Sequence, residues 1–320
     1  MKTLHVYPQG NALLAHYVSI LSSAMEGMVE TKTVADDNDL ASLGEEWQPD
    51  IVHIHGNVKS ISISRQSRTV VTPHGDDVCV KAYVVIARSP MERKRLEEIG
   101  MQRIEVVRNP VITRTISIKE MASSIMGIYQ RMMDSNVREL MDEPTLRMLH
   151  TLLKVGLMGD SRWVEVNSEI NTPNWRQLHV YAYYEGIISI LRKGMKLLGL
   201  SSTDIEPSDI KTYLPDNYAM PELQSSLALP VLLDTIEEEI RKGSLSLCRI
   251  VQIHQALINP ALDEGKLLGE LDKKRTVLLS RLMTIAKHET LLDEGFMPVA
   301  PIDDRQTRQI HNLMIKHLQI

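Results

Sequence analysis

Asp50-Ile51-Val52-His53-Ile54-His55-Gly56 decides the fold. It reads as a strand ended by a glycine, and residues 83–87 and 104–107 are the near-continuous apolar runs that buried parallel strands show. Working outward, residues 4–7, 29–34, 69–72, 82–87 and 104–107 read as further strands. Residues 12–28, 38–47 and 91–99 read as helices between them, the second capped by Asn38 and the third by Ser89. Strands alternating with helices predict a parallel sheet with helices on both faces. Ligands of such sheets gather at the carboxyl ends of the strands. That rim takes in residues 8–11, 55–57, 74–77 and 88–90.

After residue 115 the pattern changes. Met121, Ile125, Ile128, Tyr129 and Met132 recur at helical spacing, and helical patterns follow over 137–157, 175–198, 221–241, 245–258, 264–292 and 305–318. Pro230 is expected to start or kink its helix. The organisation expected is an α/β, Rossmann-like parallel-sheet domain over 1–114, a connecting helix over 115–135, and an all-helical domain over 136–320.

Composition narrows the function classes. A net charge of −5 gives no electrostatic case for nucleic acid, whose binding leans on clustered Lys and Arg. Cys79 and Cys248, far apart, make neither a disulfide framework nor a zinc site, which fits a reducing cytoplasm. The chain carries no secretory-signal pattern and no apolar run near the roughly 20 residues of a membrane span, so a cytoplasmic protein without a span is expected.

Four segments in order carry a family resemblance. They are Asp50 to Gly56, then Val70-Val71-Thr72-Pro73-His74-Gly75-Asp76, then Ala82-Tyr83-Val84-Val85-Ile86-Ala87-Arg88-Ser89, then Ile104-Glu105-Val106-Val107-Arg108-Asn109-Pro110-Val111. Together they resemble the amino-terminal, acceptor-side domain of the retaining GT-B glycosyltransferases that use nucleotide sugars. The resemblance covers about the first third of the chain. It implies a GT-B-type sheet domain, an acceptor site on its rim, and catalysis without a metal or a protein nucleophile. It also implies a carboxyl-terminal donor domain, and nothing after Val111 reads as one. Glu97 and Glu105 have the family's eight-residue glutamate spacing but lie within the first domain, and are read as chance. Residues 115–134 resemble the family's closing helix, which crosses back onto the first domain and often carries a tyrosine, as Tyr129 here. A lost donor domain accounts for both features.

The site reading follows. The resemblance makes His74 the candidate catalytic residue, against a plain turn histidine between Pro73 and Gly75. Gly10, Asn11, His55, Gly75 and Ser89 are the candidate ligand-binding residues of the rim. His53 and His55, two apart, point to one face of their strand and suit a ligand, a metal, or simple hydrogen bonding. With no third ligand near them in sequence, no metal is expected, and no cofactor. Gly10-Asn11 suits an anion or merely a turn. Asp76-Asp77 is read as a solvated loop. The aromatics Trp163, Trp175, Tyr181, Tyr183 and Tyr184 suit a sugar or partner site, or helical core. The function expected is a glycosyltransferase-like protein of glycan assembly, degenerate and without its own donor site. The alternative is a non-catalytic binding or scaffold protein on a decayed transferase half. The partners left open are a second protein, a second copy of the chain, and a glycan or nucleotide sugar as ligand.

Overall fold

The computed structural model describes residues 1–36, 46–58, 68–75, 82–110, 116–163, 173–200, 210–215, 218–224 and 228–319. The helix expected over 38–47, apart from its end, lies outside the described residues, as do Asp76-Asp77 and Cys79. The chain divides into two units, Met1–Met132 and Met133–Ile320.

The first unit runs β1 (Lys2–Tyr7), α1 (Ala12–Ala24), β2 (Glu30–Ala35), β3 (Ile51–His55), β4 (Arg68–Thr72), β5 (Val84–Ala87), α2 (Pro90–Glu98), β6 (Ile104–Val106) and α3 (Ile118–Ser135) up to Met132, the end of α3 falling in the second unit. Its six strands form one sheet in the order β2-β1-β3-β4-β5-β6. Every pairing is parallel, which is the Rossmann-like α/β arrangement expected. Parallel strands place all their carboxyl ends on one rim. β3 stops at Gly56, whose φ of +78° is left-handed. An added Cβ there would also press on Leu14 of α1 at 3.0 Å.

The two faces of this sheet differ in chemistry. Leu4, Val6, Val52, Ile54 and Val71 alternate onto one face and form an apolar cluster with Trp47. Thr3, His5, His53, His55 and Thr72 alternate onto the other, and all are buried. Register brings these polar residues side by side: His5 pairs with His53, and His55 with Thr72. α3 attends the polar face. Its Arg131 pairs with Glu105 of β6 at 3.0 Å, and its Met121 sulfur accepts from Tyr17 of α1 at 3.7 Å. The apolar stripe Met121, Ile125, Ile128, Tyr129 and Met132 is buried throughout.

The second unit contains α4 (Glu143–Met158), α5 (Trp175–Tyr184), α6 (Ile188–Leu197), α7 (Leu229–Arg241), α8 (Leu247–Leu257), α9 (Glu264–Glu270), α10 (Lys273–Glu289) and α11 (Arg305–Ile315). α4 begins later than periodicity suggests because Asp142 caps it, accepting from the Thr145 N–H at 2.9 Å. The single helix read over 175–198 is two. Gly186 breaks it with a φ of +68°, and the Pro221 carbonyl occupies the space a Cβ would need. The helix read over 264–292 is also two, restarted where Asp272 accepts from the Arg275 N–H at 2.8 Å. α7 starts at Leu229, so residues 221–224 are not helical, and Pro230 sits in its first turn as its missing N–H allows. α4 and α6 approach closely at Gly156 and Gly194, each facing a backbone carbonyl of the other helix. Tyr181 is fully buried in the core of this unit and Trp175 and Tyr184 pack against it, which favours the helical-core reading of these aromatics. Among the described residues, no helix is long and apolar enough to cross a membrane.

Candidate functional site

The polar face of the first unit's sheet leads to the candidate site. His5 sits mid-strand on β1, His53 mid-strand on β3, and His55 at the end of β3. All three side chains are fully buried. His5 Nδ1 and His55 Nε2 lie 3.0 Å apart and share a hydrogen bond. His53 is engaged through both ring nitrogens: Nδ1 is 2.5 Å from the Tyr129 hydroxyl of α3, and Nε2 is 2.7 Å from the Thr72 hydroxyl of β4. The His53 and His55 rings lie 4.0 Å apart, and the His5 and His55 rings stack at 5.3 Å. His5 Nε2 and His55 Nδ1 are buried without a hydrogen-bond partner among the described residues.

His74 continues the cluster toward the rim. Its ring lies 6.2 Å from that of His55, and Tyr17 of α1 meets both edge-on, at 5.3 and 5.8 Å. Arg88, just past β5, donates from Nη1 to His74 Nδ1 at 3.3 Å. Arginine has no acceptor, so His74 Nδ1 accepts and the ring hydrogen sits on Nε2. That Nε2–H is buried and has no partner among the described residues. Glu92 of α2 fixes Arg88 through Nη2 at 2.8 Å and Nε at 3.1 Å. His74 is thus held from behind by an ion pair.

Burial keeps this cluster neutral. It lowers His5 to about 4. It pushes His53 and His55 well below the ordinary histidine value, and the neighbouring imidazoles add to the effect. Burial, then the Arg88 cation, hold His74 at about 4 against the opposing pull of Glu92. Burial raises Tyr17 to about 12 and Tyr129 well above its usual value. At neutral pH the site offers neutral imidazoles and protonated phenols.

The other rim candidates separate from this constellation. Gly10 and Asn11 are exposed, and the Asn11 side chain is used as the cap of α1, accepting from the Leu14 N–H at 3.0 Å. The Ser89 hydroxyl caps α2, accepting from the Glu92 N–H at 3.1 Å. The Gly75 carbonyl accepts from Arg95 at 2.9 Å. His55 belongs to the buried cluster rather than to the open rim. Trp175, Tyr181, Tyr183 and Tyr184 lie in the second unit.

Sequence reasoning missed His5, Arg88, Tyr17 and Thr72 as site residues. The signal for His5 was a polar residue inside the apolar run Leu4 to Tyr7, but only strand register places it beside His53. Arg88 stood within a quoted motif, one residue before the cap, with nothing in its spacing to link it to His74. No protein-family model matches the chain, and no curated protein matches it significantly in sequence.

Proposed function

We propose that the chain is a glycosyltransferase-like protein of glycan assembly: the acceptor-side half of a GT-B enzyme, working in the cytoplasm without a nucleotide-sugar site of its own. The reading rests on the resemblance of the four strand-end segments. The observation that favours it most is His74, at the carboxyl rim, neutral and backed by Arg88, with an Nε2–H that has no partner among the described residues. A fixed neutral donor beside an aromatic edge suits the hydroxyl oxygens of a sugar. Transfer would require a partner, another protein or a second copy, that binds the nucleotide and neutralises the departing diphosphate. A second reading, a purely binding or scaffold protein, draws support from the rim itself, where Asn11 and Ser89 are committed to capping helices.

Saturation-transfer NMR of the purified chain with a panel of oligosaccharides tests the ligand class. Binding is expected, and His74→Ala should weaken it by about tenfold, the worth of one hydrogen bond to a neutral group. Binding that is unaffected by His74→Ala, or no binding by a folded chain, would remove the rim from the account.

A further inference from the structure

We propose that His5, His53 and His55 form a binding site for a single first-row divalent cation, zinc being the best fit, on the polar face of the sheet. Two histidines at alternate positions of one strand are a poor metal site by themselves. Register supplies the third, since His5 of β1 lies directly opposite His53 of β3. One ligand nitrogen from each of the three lies within 4.8 Å of the others. Zinc–nitrogen bonds of about 2.0–2.1 Å in a tetrahedral arrangement need nitrogens roughly 3.3–3.4 Å apart. His5 and His55 already present a pair at 3.0 Å. The remaining nitrogens, within 4.8 Å, would have to draw closer by ring rotation, with the hydrogen now shared between His5 and His55 moved to a far nitrogen.

The chemistry of the donors selects the ion. Three imidazoles with no carboxylate suit zinc and its neighbours, whereas magnesium and calcium require oxygen ligands. A metal takes imidazole in its neutral form, and these rings are buried away from solvent. Metal-bound histidines are commonly fixed by a hydrogen bond at their other nitrogen. His53 has that support: Tyr129 holds Nδ1, leaving Nε2 for the metal once the Thr72 hydroxyl turns aside. Three protein ligands leave a fourth position for water or an oxygen of a bound molecule.

The second unit provides a contrast. Glu289 there receives His311 at 2.7 Å and lies 3.4 Å from His150, but Arg138 donates to the same carboxylate at 2.8 Å. A guanidinium already occupies the place a metal would take. Those residues therefore serve as a control.

The test uses the full chain, stripped with EDTA and titrated with zinc chloride against a chromophoric chelator. One equivalent should bind. His5→Asn and His55→Gln should each weaken binding by on the order of 100-fold or more, and Tyr129→Phe, which keeps all three ligands, by about 10–100-fold. The double variant His150→Gln/His311→Gln should bind as the parent does. If the histidine variants fail to fold, anomalous diffraction at the zinc edge from crystals of the unaltered chain locates the ion. The peak should lie between the three imidazoles. Absence of zinc uptake by the folded chain, a peak elsewhere, or unchanged affinity in folded His5→Asn and His55→Gln would overturn the proposal. The outcome is independent of any sugar-binding result.

Discussion

Tyr129→Phe removes one hydroxyl and nothing else. Tyr129 and His53 are both fully buried, and the hydroxyl is 2.5 Å from His53 Nδ1. Phenylalanine keeps the ring packed in place but neither donates nor accepts. His53 Nδ1 then stays buried with no other partner among the described residues, while Thr72 holds the other nitrogen. An orphaned buried polar group costs about 1–3 kcal/mol, and this should be the loss of stability in the first unit. A chain of two units need not unfold in one step, so a global melt would mix their signals. Hydrogen exchange in graded urea, read on peptides from β3 and α3 in the presence of EDTA, isolates the relevant unit. Tyr17→Phe is the control. Among the described residues its hydroxyl bonds only to the Met121 sulfur, at 3.7 Å, and its loss should cost under about 0.5 kcal/mol. Thr72→Val should couple to Tyr129→Phe by about 0.5–3 kcal/mol, since both act on one imidazole. If Tyr129→Phe lies within about 0.3 kcal/mol of the parent, or matches Tyr17→Phe, the buried network is not what holds α3 to the sheet.

Gly156→Ala should destabilise the second unit by about 1–3 kcal/mol, read by thermal unfolding, because the new Cβ meets the Ile190 carbonyl and α4 and α6 must part; a neutral result would contradict that close approach. Glu289→Gln should cost about 3–5 kcal/mol at pH 7 by leaving Arg138 buried against a neutral amide. Burial alone would raise the Glu289 carboxyl, but His150, His311 and Arg138 more than reverse this and hold it well below the usual carboxylate range. A depressed folded value gives stability that is present above the unfolded value of about 4.3 and lost as pH falls through the folded one. The gap between parent and Glu289→Gln should therefore narrow as pH falls below about 4 in urea titrations, and a pH-independent gap would refute the assignment. Residues 1–114 should be less soluble and melt lower than 1–134, because the longer piece brings five buried side chains of α3, worth about 1.5–3 kcal/mol each before ordering costs; equal behaviour would reduce α3 to a linker.

The parallel sheet was legible because strands alternate with helices along the sequence, and because residues 83–87 and 104–107 are near-continuous apolar runs of the kind buried parallel strands show. The α3 stripe was legible because five residues spaced by three and four have to be covered. Helix ends were less so. Periodicity runs straight through Gly186 and Asp272, and only a left-handed backbone at the first and a side-chain cap at the second divide the helices. The rim was readable as a rim, but not which of its residues remain available. Asn11 and Ser89 have the same chemistry whether they cap a helix or hold a ligand. His74 was read from its strand end, whereas Arg88, 14 residues away, meets it only because β4 and β5 are neighbours. His5 is the clearest case of hidden information, lying 50 residues from His55 in sequence and 3.0 Å from it in the fold.

The central claim is that this chain carries an acceptor-side half and no donor site. The direct measurement is to incubate the purified chain with a panel of nucleotide sugars and candidate acceptors, measuring sugar transfer and nucleotide-sugar binding together. The account expects neither from the chain alone, because holding and neutralising the diphosphate takes groups that its sequence does not supply in the family's order. Robust transfer by the homogeneous chain, abolished by His74→Ala, would contradict it.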